Sequence, residues 1–520
     1  MSDKVAAVRA AYDPQPPHPR LVVLVNERAP QFSRSSRLIF ALVVVLYAAL
    51  RLWNLTAYGL FSDEVFSAET VHRAWPQMQW AIIEDVVHPP LFYCLLKAWI
   101  ILGDSLLWMK LFPVVFSLLA IIPFVLLCRE LRLCAATINL ALLLMAVNEY
   151  LVGYSQELRM YSLLMLLVTT SMWLFAKLVN ADERTLTVQL ALLVTNLLLV
   201  YTHYYGWLIV VCELLFVLIK RRDRLAAFAL STAALAVAFL PWILAVMGAA
   251  YAKGGLGPNL KWNTRPTASD FFQHYVTLDG PVYNSWRAAA TIFSTVIFLT
   301  PVLIWLWRLI VKGRDSARRT DKSESDLLLW LVLLAFLPSI IAFAASYVLA
   351  QSVWGSRFLI VVAPAYLLLI AIAVTRLSSR RLQAIAIALV AAWAALSGAL
   401  QLTHRDKIDW QPLVAQMIHQ ETNPADGIHV YTRQGVVGVT TQYYLNRAND
   451  ERFRVHYVDD YGDINEAHFW LAFIRYRHET GPLPVELFAA RGDQLGAAIE
   501  ADAPGHRVIF VPIWRREGNH

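Results

Sequence analysis

Cysteine is scarce in this sequence of 520 residues, which contains four of them. All four, Cys94, Cys128, Cys134 and Cys212, lie in or beside apolar runs, and residues 403–520 contain none. A disulfide framework requires several cysteines within one soluble extracellular unit. The sequence therefore predicts no such framework.

Several signatures of soluble enzymes are also missing. The sequence has no His/Cys cluster with zinc spacing, no Asp-x-Asp, no phosphate-binding P-loop or dinucleotide fingerprint, and no Gly-x-Ser-x-Gly elbow. These absences give no support to a soluble nucleotide donor. The sequence predicts no metal site and no cofactor, and it leaves a requirement for a divalent cation open.

Charged residues are few: they make up 16% of the chain against 58% hydrophobic residues, and the mean hydropathy is +0.50. Soluble domains contain about 45–50% apolar residues. Repeated apolar runs of roughly 20 residues are long enough to cross the hydrocarbon core of a bilayer. The net charge of +7 comes with basic residues in short loops between these runs, where they orient helices. We therefore predict a polytopic α-helical membrane protein with no nucleic-acid partner.

The distribution of basic residues predicts about eleven transmembrane helices, with interfacial helices in addition and a cytoplasmic N-terminus. The predicted domains are a cytoplasmic tail (1–37), a transmembrane domain (38–402) with its first outer loop at 54–105, and an extracytoplasmic domain (403–520). Because a polar segment precedes the first span, we expect that span to be an uncleaved anchor. The predicted spans are 38–53, 106–128, 133–150, 160–179, 186–201, 207–219, 225–247, 288–311, 327–350, 358–374 and 382–402.

Two further segments are predicted from pattern. Residues 89–102 are apolar but too short to span comfortably, so we expect a helix that lies in the outer interface. The C-terminal domain is predicted to be a small α/β unit, because short runs of β-branched and aromatic residues alternate with helical segments. Its predicted strands are 427–432, 453–458, 469–475 and 507–513, and its predicted helices are 410–421 and 438–445.

The polar residues with a candidate chemical role all lie beside apolar spans, and the predicted topology places them on the outer face. A channel or pump instead keeps its ionisable groups along a path through the middle of the bilayer. The grouping therefore favours a membrane-embedded enzyme. The candidates are Asp63, Glu64, His88, Glu157, Arg159, His203 and Arg357.

Asp63 and Glu64 follow the first span and are adjacent in sequence. Neighbouring side chains point in different directions in a helix or a strand, so at most one of these carboxylates faces a given substrate. Ser62-Asp63-Glu64 also has the residue types of a helix N-cap, and this structural interpretation stays open.

Arg159 and Arg357 each begin an apolar span, where a forked guanidinium suits a phosphate. The alternative for an isolated arginine is snorkelling to lipid headgroups. Glu157 lies two positions before Arg159, a spacing that does not favour a pair on one helix, so each is expected to find partners elsewhere.

His88 and His203 are the candidate imidazoles. Pro89 and Pro90 suit a helix start, which explains the prolines but not His88. An imidazole at this surface suits a phosphate or a hydroxyl group. His203 lies in the turn Thr202-His203-Tyr204-Tyr205, which also has the composition of an aromatic belt.

The order of these motifs resembles the GT-C membrane glycosyltransferases, and most of all family 39, which includes the protein O-mannosyltransferases and the lipid A aminoarabinose transferase. The resemblance covers roughly residues 38–400. His88 stands where the lipid A-modifying members carry lysine, which argues against aminoarabinose as the sugar. The matching segments are Phe61-Ser62-Asp63-Glu64, His88-Pro89-Pro90-Leu91, Gln156-Glu157-Leu158-Arg159-Met160-Tyr161, Tyr201-Thr202-His203-Tyr204 and Ser356-Arg357-Phe358.

The resemblance implies a hexosyl- or pentosyltransferase that takes its sugar from a polyprenyl-phosphate donor. An acceptor hydroxyl attacks, the anomeric centre inverts and the lipid phosphate leaves. Asp63 is the expected base, Glu64 and Glu157 are further catalytic candidates, and the remaining candidates are expected to bind the donor phosphate. The expected partners are the lipid-linked donor, membrane lipid and an unidentified acceptor, which is a protein, a lipid or a polysaccharide. The expected location is the bacterial inner membrane.

Two other functions stay open. A flippase or transporter of a lipid-linked sugar would carry charged groups near the bilayer midplane, where this sequence offers Glu213 and Asn196. A ligase that uses a lipid pyrophosphate donor would need the same cations as the transferase.

Overall fold

The computed structural model describes residues 33–181, 186–252, 264–279, 287–312, 319–403, 408–421, 427–476, 479–503 and 505–516. Most of the predicted N-terminal tail (1–37) lies outside the described residues, as do the inner-loop residues 182–185 and 313–318.

Seventeen α-helices make up the described part of the chain before residue 404. Most of them are apolar, and a helix suits a segment surrounded by lipid because it satisfies its backbone hydrogen bonds internally. In chain order they are α1 (Arg34–Leu52), α2 (Asp63–His72), α3 (Trp75–Asp85), α4 (Leu91–Ile100), α5 (Leu106–Leu119), α6 (Ile121–Glu130), α7 (Ala135–Val147), α8 (Glu149–Ser155), α9 (Tyr161–Asn180), α10 (Leu186–Thr202), α11 (Gly206–Lys220), α12 (Leu225–Ala252), α13 (Ala268–Asp279), α14 (Arg287–Lys312), α15 (Arg319–Val348), α16 (Ala363–Thr375) and α17 (Arg380–Thr403).

The chain is a polytopic α-helical membrane protein. Among the described residues, seven helices are long and apolar enough to cross a membrane, and eight if the bent pair α7 and α8 is one span. Helix α10 is a shorter apolar helix. Each of the eleven predicted spans corresponds to a helical segment, and the predicted interfacial helix corresponds to α4.

Two predicted spans are each divided into two helices. Helices α5 and α6 meet at Ala120, and Pro113 lies inside α5, where it removes a backbone donor. Helices α7 and α8 are bent by 61°. The break is at Asn148, whose side-chain oxygen accepts from the Leu151 N–H at 2.9 Å and so caps α8. The Asn148 amide donates to the Leu278 carbonyl at 2.7 Å, which ties the bend to α13.

Helix α16 is the centre of the bundle, because it is buried along almost its whole length. The buried carboxylate of Glu213 in α11 is paired inside the bundle. Both Glu213 oxygens accept hydrogen bonds, one from Ser171 at 2.7 Å and one from Asn196 at 2.8 Å. Pairing of this kind is how an ionisable group is held among apolar helices.

The C-terminal unit comprises α18 (Trp410–Gln420), β1 (Ile428–Thr432), α19 (Gly435–Ala448), β2 (Phe453–Tyr457), β3 (His468–Tyr476), α20 (Pro484–Ala490), β4 (Gln494–Leu495), β5 (Ile499–Ala503) and β6 (His506–Trp514). The strands form one sheet in the order β2-β1-β3-β6-β4, and β5 also pairs with β6. Strand β1 runs parallel to β2 and β3, and β6 runs antiparallel to β3. The six predicted elements of this unit are present, and α20, β4 and β5 were not predicted.

The C-terminal unit packs against the segment that joins α1 to α2. The rings of Phe61 and Trp410 stack with centroids 5.9 Å apart. The Tyr444 hydroxyl donates to the Leu60 carbonyl at 2.9 Å. The sheet unit is therefore fixed to the same end of the bundle as Asp63.

Candidate active site

Asp63 is the first residue of α2. The preceding Ser62 has φ 43° and ψ −101°, and its side chain does not cap the helix. The Asp63 side chain instead forms an ion pair with Arg357, with Arg357 Nη1 and Asp63 Oδ2 2.7 Å apart. The Asp63 side chain is 41% exposed, so this pair is partly open to the surroundings rather than enclosed in the packed interior.

The charges around Asp63 favour its ionised form. Burial opposes ionisation, but Arg159 and Arg357 outweigh it and hold the pKa of the Asp63 carboxyl below its ordinary value. Arg357 is affected in the complementary way, because Tyr161 and Asp63 overcome its burial and raise its pKa. Both members of the pair are therefore charged at neutral pH.

Glu64 points away from Asp63, as expected for adjacent helical residues. It is 3% exposed. One oxygen accepts from the Leu158 N–H at 2.8 Å and lies 3.8 Å from Lys110 Nζ. Glu64 therefore fixes the segment that carries Glu157 and Arg159 to the start of α2.

Arg159 lies buried just before α9 and connects several groups. Its Nη1 donates to the Asp63 carbonyl at 3.1 Å, to Ser67 Oγ at 3.2 Å and to the Tyr93 hydroxyl at 3.4 Å. Its Nη2 lies 3.3 Å from both ring nitrogens of His88. These contacts show that Arg159 is a member of the cluster and not a snorkelling surface residue.

His88 is a neutral imidazole in this setting, because burial and the nearby Arg159 charge lower its pKa well below the ordinary value. Its Nδ1 lies 3.4 Å from Asp85 Oδ2. Burial raises the pKa of the Asp85 carboxyl to about 6. Asp85 thus supplies a second carboxylate at the cluster.

His203 lies in the turn between α10 and α11, 5.5 Å from the His88 ring by centroid distance and 5.0 Å from Phe358. Burial, together with His88 and Arg159, lowers its pKa well below the ordinary value. Its Nδ1 accepts from the Tyr205 N–H at 3.1 Å. The proton of the neutral ring is therefore on Nε2.

Glu157 is half-buried, two residues before Arg159. Its carboxylate interacts electrostatically with the hydroxyls of Tyr154 and Tyr161. The same two tyrosines interact with Arg357. The structure thus places Glu157 beside the tyrosines on one side of the cluster, and its catalytic role stays a prediction.

Three polar groups of the cluster are buried without a hydrogen-bond partner among the described residues: Arg159 Nε, His203 Nε2 and the Tyr161 hydroxyl. The first two are donors only, in the protonation states argued above. Buried donors without acceptors are costly, so such a group of donors fits an acceptor-rich ligand. A phosphate has several acceptor oxygens and negative charge, which complements the two guanidinium groups.

The structure brings Asp63, His88, Arg159, His203 and Arg357 into one cluster, with Glu64 and Glu157 on its borders. Sequence reasoning missed four residues that complete it: Ser67, Asp85, Tyr93 and Lys110. Asp85 has a signal in its position three residues before His88, and Ser67 lies one helical turn after Asp63. Tyr93 and Lys110 lie within apolar segments and give no such signal.

The described residues contain no group of three or more His, Cys, Asp or Glu side chains placed to bind a metal ion.

Solved structures with a similar fold include ArnT from Cupriavidus metallidurans. Bound to undecaprenyl phosphate, it matches with a TM-score of 0.53 at 12% identity over 91% of this chain and 97% of that chain. Its apo state gives the same TM-score and coverage at 13% identity. AglB from Archaeoglobus fulgidus, an archaeal oligosaccharyltransferase in complex with an inhibitory peptide and a dolichol-phosphate, matches with a TM-score of 0.51 at 13% identity over 79% of this chain and 63% of that chain.

These similarities confirm the predicted GT-C fold, which ArnT and AglB share. At these identities the likeness is one of fold. No family model matches the chain, and no curated protein matches it.

Proposed function

We propose that this chain is an inverting glycosyltransferase of the family 39 type, which moves a sugar from a polyprenyl-phosphate donor to an acceptor hydroxyl. The observation that carries the proposal is the ion pair of Asp63 and Arg357 beside the buried guanidinium of Arg159. One ionised carboxylate next to two permanent cations supplies a base and a site for a leaving phosphate. The fold supports the same class, since ArnT was solved with undecaprenyl phosphate and AglB with a dolichol-phosphate.

The donor phosphate binds between the two guanidinium groups. Arg159 Nε and His203 Nε2 donate to it, because both are buried donors that lack an acceptor among the described residues. His88 holds the Arg159 side chain in place from one side, and Ser67 and the Asp63 carbonyl hold it from the other. Forked, prearranged donors of this kind suit a phosphate.

In the reaction, the acceptor oxygen forms a bond to the anomeric carbon from the face opposite the phosphate. The bond from the anomeric carbon to the phosphate oxygen breaks, and the electron pair stays with the phosphate. Asp63 takes the proton of the acceptor hydroxyl. Arg159 and Arg357 stabilise the additional negative charge that develops on the leaving phosphate.

Arg357 is shared between Asp63 and the donor phosphate in this scheme. Without donor, the whole guanidinium charge acts on Asp63 and keeps it a weak base. When the phosphate binds, part of that charge is directed to the phosphate, and the Asp63 carboxylate becomes more basic. Donor binding therefore prepares the base for the acceptor.

The neighbouring carboxylates have other roles. Glu64 is a positioning residue, since its Oε1 accepts from the Leu158 N–H and faces Lys110 rather than Arg159 and Arg357. Glu157 acts from the tyrosine side, where it orients the acceptor.

The proposed location is the outer face of a bacterial inner membrane, with the N-terminus in the cytoplasm. The domain boundaries follow the predicted ones, with residues 38–402 as the catalytic unit and 403–520 as an extracytoplasmic cover. The acceptor is a protein, a lipid or a polysaccharide.

A flippase function has less support. It would need reactive charges near the middle of the bundle, and Glu213 has both carboxylate oxygens bound by Ser171 and Asn196. A ligase that uses a lipid pyrophosphate donor would use the same two arginines, so the choice of donor in the assay separates it from the proposed function.

The test is transfer from radiolabelled polyprenyl-phosphate sugars by the purified protein in lipid vesicles, with wild type beside Asp63→Asn. Asparagine keeps the size of the side chain but cannot take a proton. We expect the variant to lose on the order of 10²–10⁴-fold in kcat, the usual contribution of a general base. Wild-type turnover by Asp63→Asn would refute the role of Asp63.

Glu64→Gln is the matched comparison, because glutamine retains an oxygen that can accept from the Leu158 N–H. A loss much smaller than that of Asp63→Asn is expected. Turnover with pyrophosphate donors and none with monophosphate donors would move the assignment to the ligase.

A further inference from the structure

The backbone just before Asp63 has a conformation that a residue with a side chain rarely adopts. Ser62 has φ 43° and ψ −101°. Such a conformation persists only where the surroundings enforce it, and it is typical of functional sites. Within α2, the Ser62 side chain makes no capping hydrogen bond: its hydroxyl donates to Asp63 Oδ1 at 3.4 Å, and its carbonyl accepts from the Phe66 N–H at 2.9 Å. These contacts leave the Ser62 N–H for a partner outside α2.

The enforcing contacts come from α19 of the C-terminal unit, 378 positions away along the chain. The Ser62 N–H donates to Thr440 Oγ1 at 3.2 Å. Thr440 is fully buried, and its own hydroxyl donates to the Val436 carbonyl at 2.8 Å within α19. Since its proton is used there, the oxygen presents a lone pair to Ser62 in a fixed direction.

The residues before Ser62 are held by the same unit. The Tyr444 hydroxyl donates to the Leu60 carbonyl at 2.9 Å, and the Gly59 N–H donates to Asp409 Oδ1 at 3.4 Å. The approach is close, because a Cβ atom on Gly59 would lie 1.9 Å from the Tyr444 hydroxyl oxygen.

We infer that Thr440 and Tyr444 are positioning residues of the active site, which fix the backbone at Ser62 so that the Asp63 carboxylate meets Arg357. This inference rests on the proposed function, because it gives the C-terminal unit a part in aligning the base. The proposed effect depends on the position of Asp63 relative to Arg357. A rotation at Ser62 turns the first residue of α2, whereas Arg357 stays fixed to the bundle through the Tyr150 hydroxyl, which donates to the Ser356 carbonyl at 2.5 Å.

The chain offers a matched pair of variants. Thr440→Val keeps the shape of the side chain and removes the oxygen that accepts from Ser62. Thr441→Val is the control, because Thr441 is equally buried in the same helix and its hydroxyl oxygen has no hydrogen-bond partner among the described residues. Thr440→Ser restores the oxygen, and Tyr444→Phe tests the second contact by itself.

We expect Thr440→Val to lower kcat on the order of 10- to 100-fold, since a misplacement of about 1 Å has effects of that size. The KM for the donor should change less than kcat, because Arg357 stays fixed to the bundle and Arg159 keeps its contacts with Tyr93 and His88. The acid limb of the pH profile should move to higher pH, since Asp63 loses part of its contact with Arg357. Thr440→Ser should recover most of the wild-type rate, and Thr441→Val should behave like wild type.

Equal losses of kcat in Thr440→Val and Thr441→Val would show that the effect comes from packing, and would overturn the inference. A wild-type rate and pH profile in Thr440→Val would overturn it as well. Hydrogen exchange of a peptide that covers residues 59–63 is a readout independent of activity. Faster exchange in Thr440→Val than in Thr441→Val supports the anchoring even if the wild type transfers no sugar, a result that would refute the proposed function alone. Equal exchange in both variants refutes the anchoring.

Discussion

The behaviour of Asp63 depends on the balance between two opposing effects at one residue. Burial disfavours its charge, and the guanidinium groups of Arg159 and Arg357 favour it more strongly. A carboxyl held in this way stays ionised to a lower pH than one without neighbouring cations. The pKa of the Asp63 carboxyl therefore depends on how closely the two guanidinium groups approach it.

Replacing Arg357 by glutamine should move the acid limb of kcat/KM to higher pH. A carboxyl whose pKa is depressed in the folded protein stays ionised, and so active as a base, down to that depressed pKa. Removal of one depressing charge raises the pKa, and activity is lost earlier as the pH falls. The measurement is the pH dependence of kcat/KM, which reports the free enzyme.

Arg308→Gln is the control for the loss of a positive charge. Arg308 donates to the Arg376 carbonyl at the other end of the helices, far along the bundle from Asp63. Its variant should leave the acid limb in place. An unchanged limb in Arg357→Gln, or an equal shift in both variants, would contradict the assigned pairing.

At the scale of elements, the turn between α10 and α11 is what holds His203 in the cluster. Gly206 begins α11, and a Cβ atom there would lie 2.9 Å from backbone atoms of Leu199 in α10. The two helices approach closely because residue 206 has no side chain. The position of His203 therefore depends on a packing contact outside the motif itself.

Gly206→Ala should lower the thermal midpoint of the protein in detergent, because overpacking against backbone costs about 1–3 kcal/mol. Transfer activity should fall with it, since His203 moves. Gly153→Ala in α8 is the control: nothing lies within 4 Å of its added Cβ, and alanine is the better helix former by about 0.5–1 kcal/mol. A midpoint for Gly206→Ala at or above that of Gly153→Ala would contradict the close contact.

The elements also mark how far sequence reasoning reaches. Apolar runs predicted the helices, because burial in lipid selects composition over a whole segment. They did not predict that one span is divided at Ala120 or that α7 and α8 are bent by 61° at Asn148. The composition of a segment does not specify the direction of its helix axis. Likewise, the polar motifs predicted which residues meet, whereas the pairing of Asp63 with Arg357 and of Glu64 with the Leu158 N–H depends on side-chain directions that the sequence does not specify.

At the scale of the whole molecule, the predicted number of eleven spans is odd, and we therefore propose that the two ends of the chain lie on opposite sides of the membrane. Reporter fusions test this. A fluorescent protein before residue 34 should fluoresce in the cytoplasm, and alkaline phosphatase after residue 516 should be active in the periplasm. A phosphatase fusion after Arg381 is the control and should be inactive. Activity of both terminal fusions on the same side would contradict the predicted topology and the outer-face site.

The large sequence separation between Asp63 and Arg357 has a consequence for the synthesis of the protein. At about 5–20 residues per second, a ribosome needs roughly 15–60 s to make the 294 positions between Asp63 and Arg357. During that interval the nascent chain already exposes its acidic segment without its arginine partner. Thr440 emerges later still, after the final span. Under the proposed function, translation that stops between these points yields an inserted bundle whose proposed base is not aligned, so we expect no active enzyme before the chain is nearly finished.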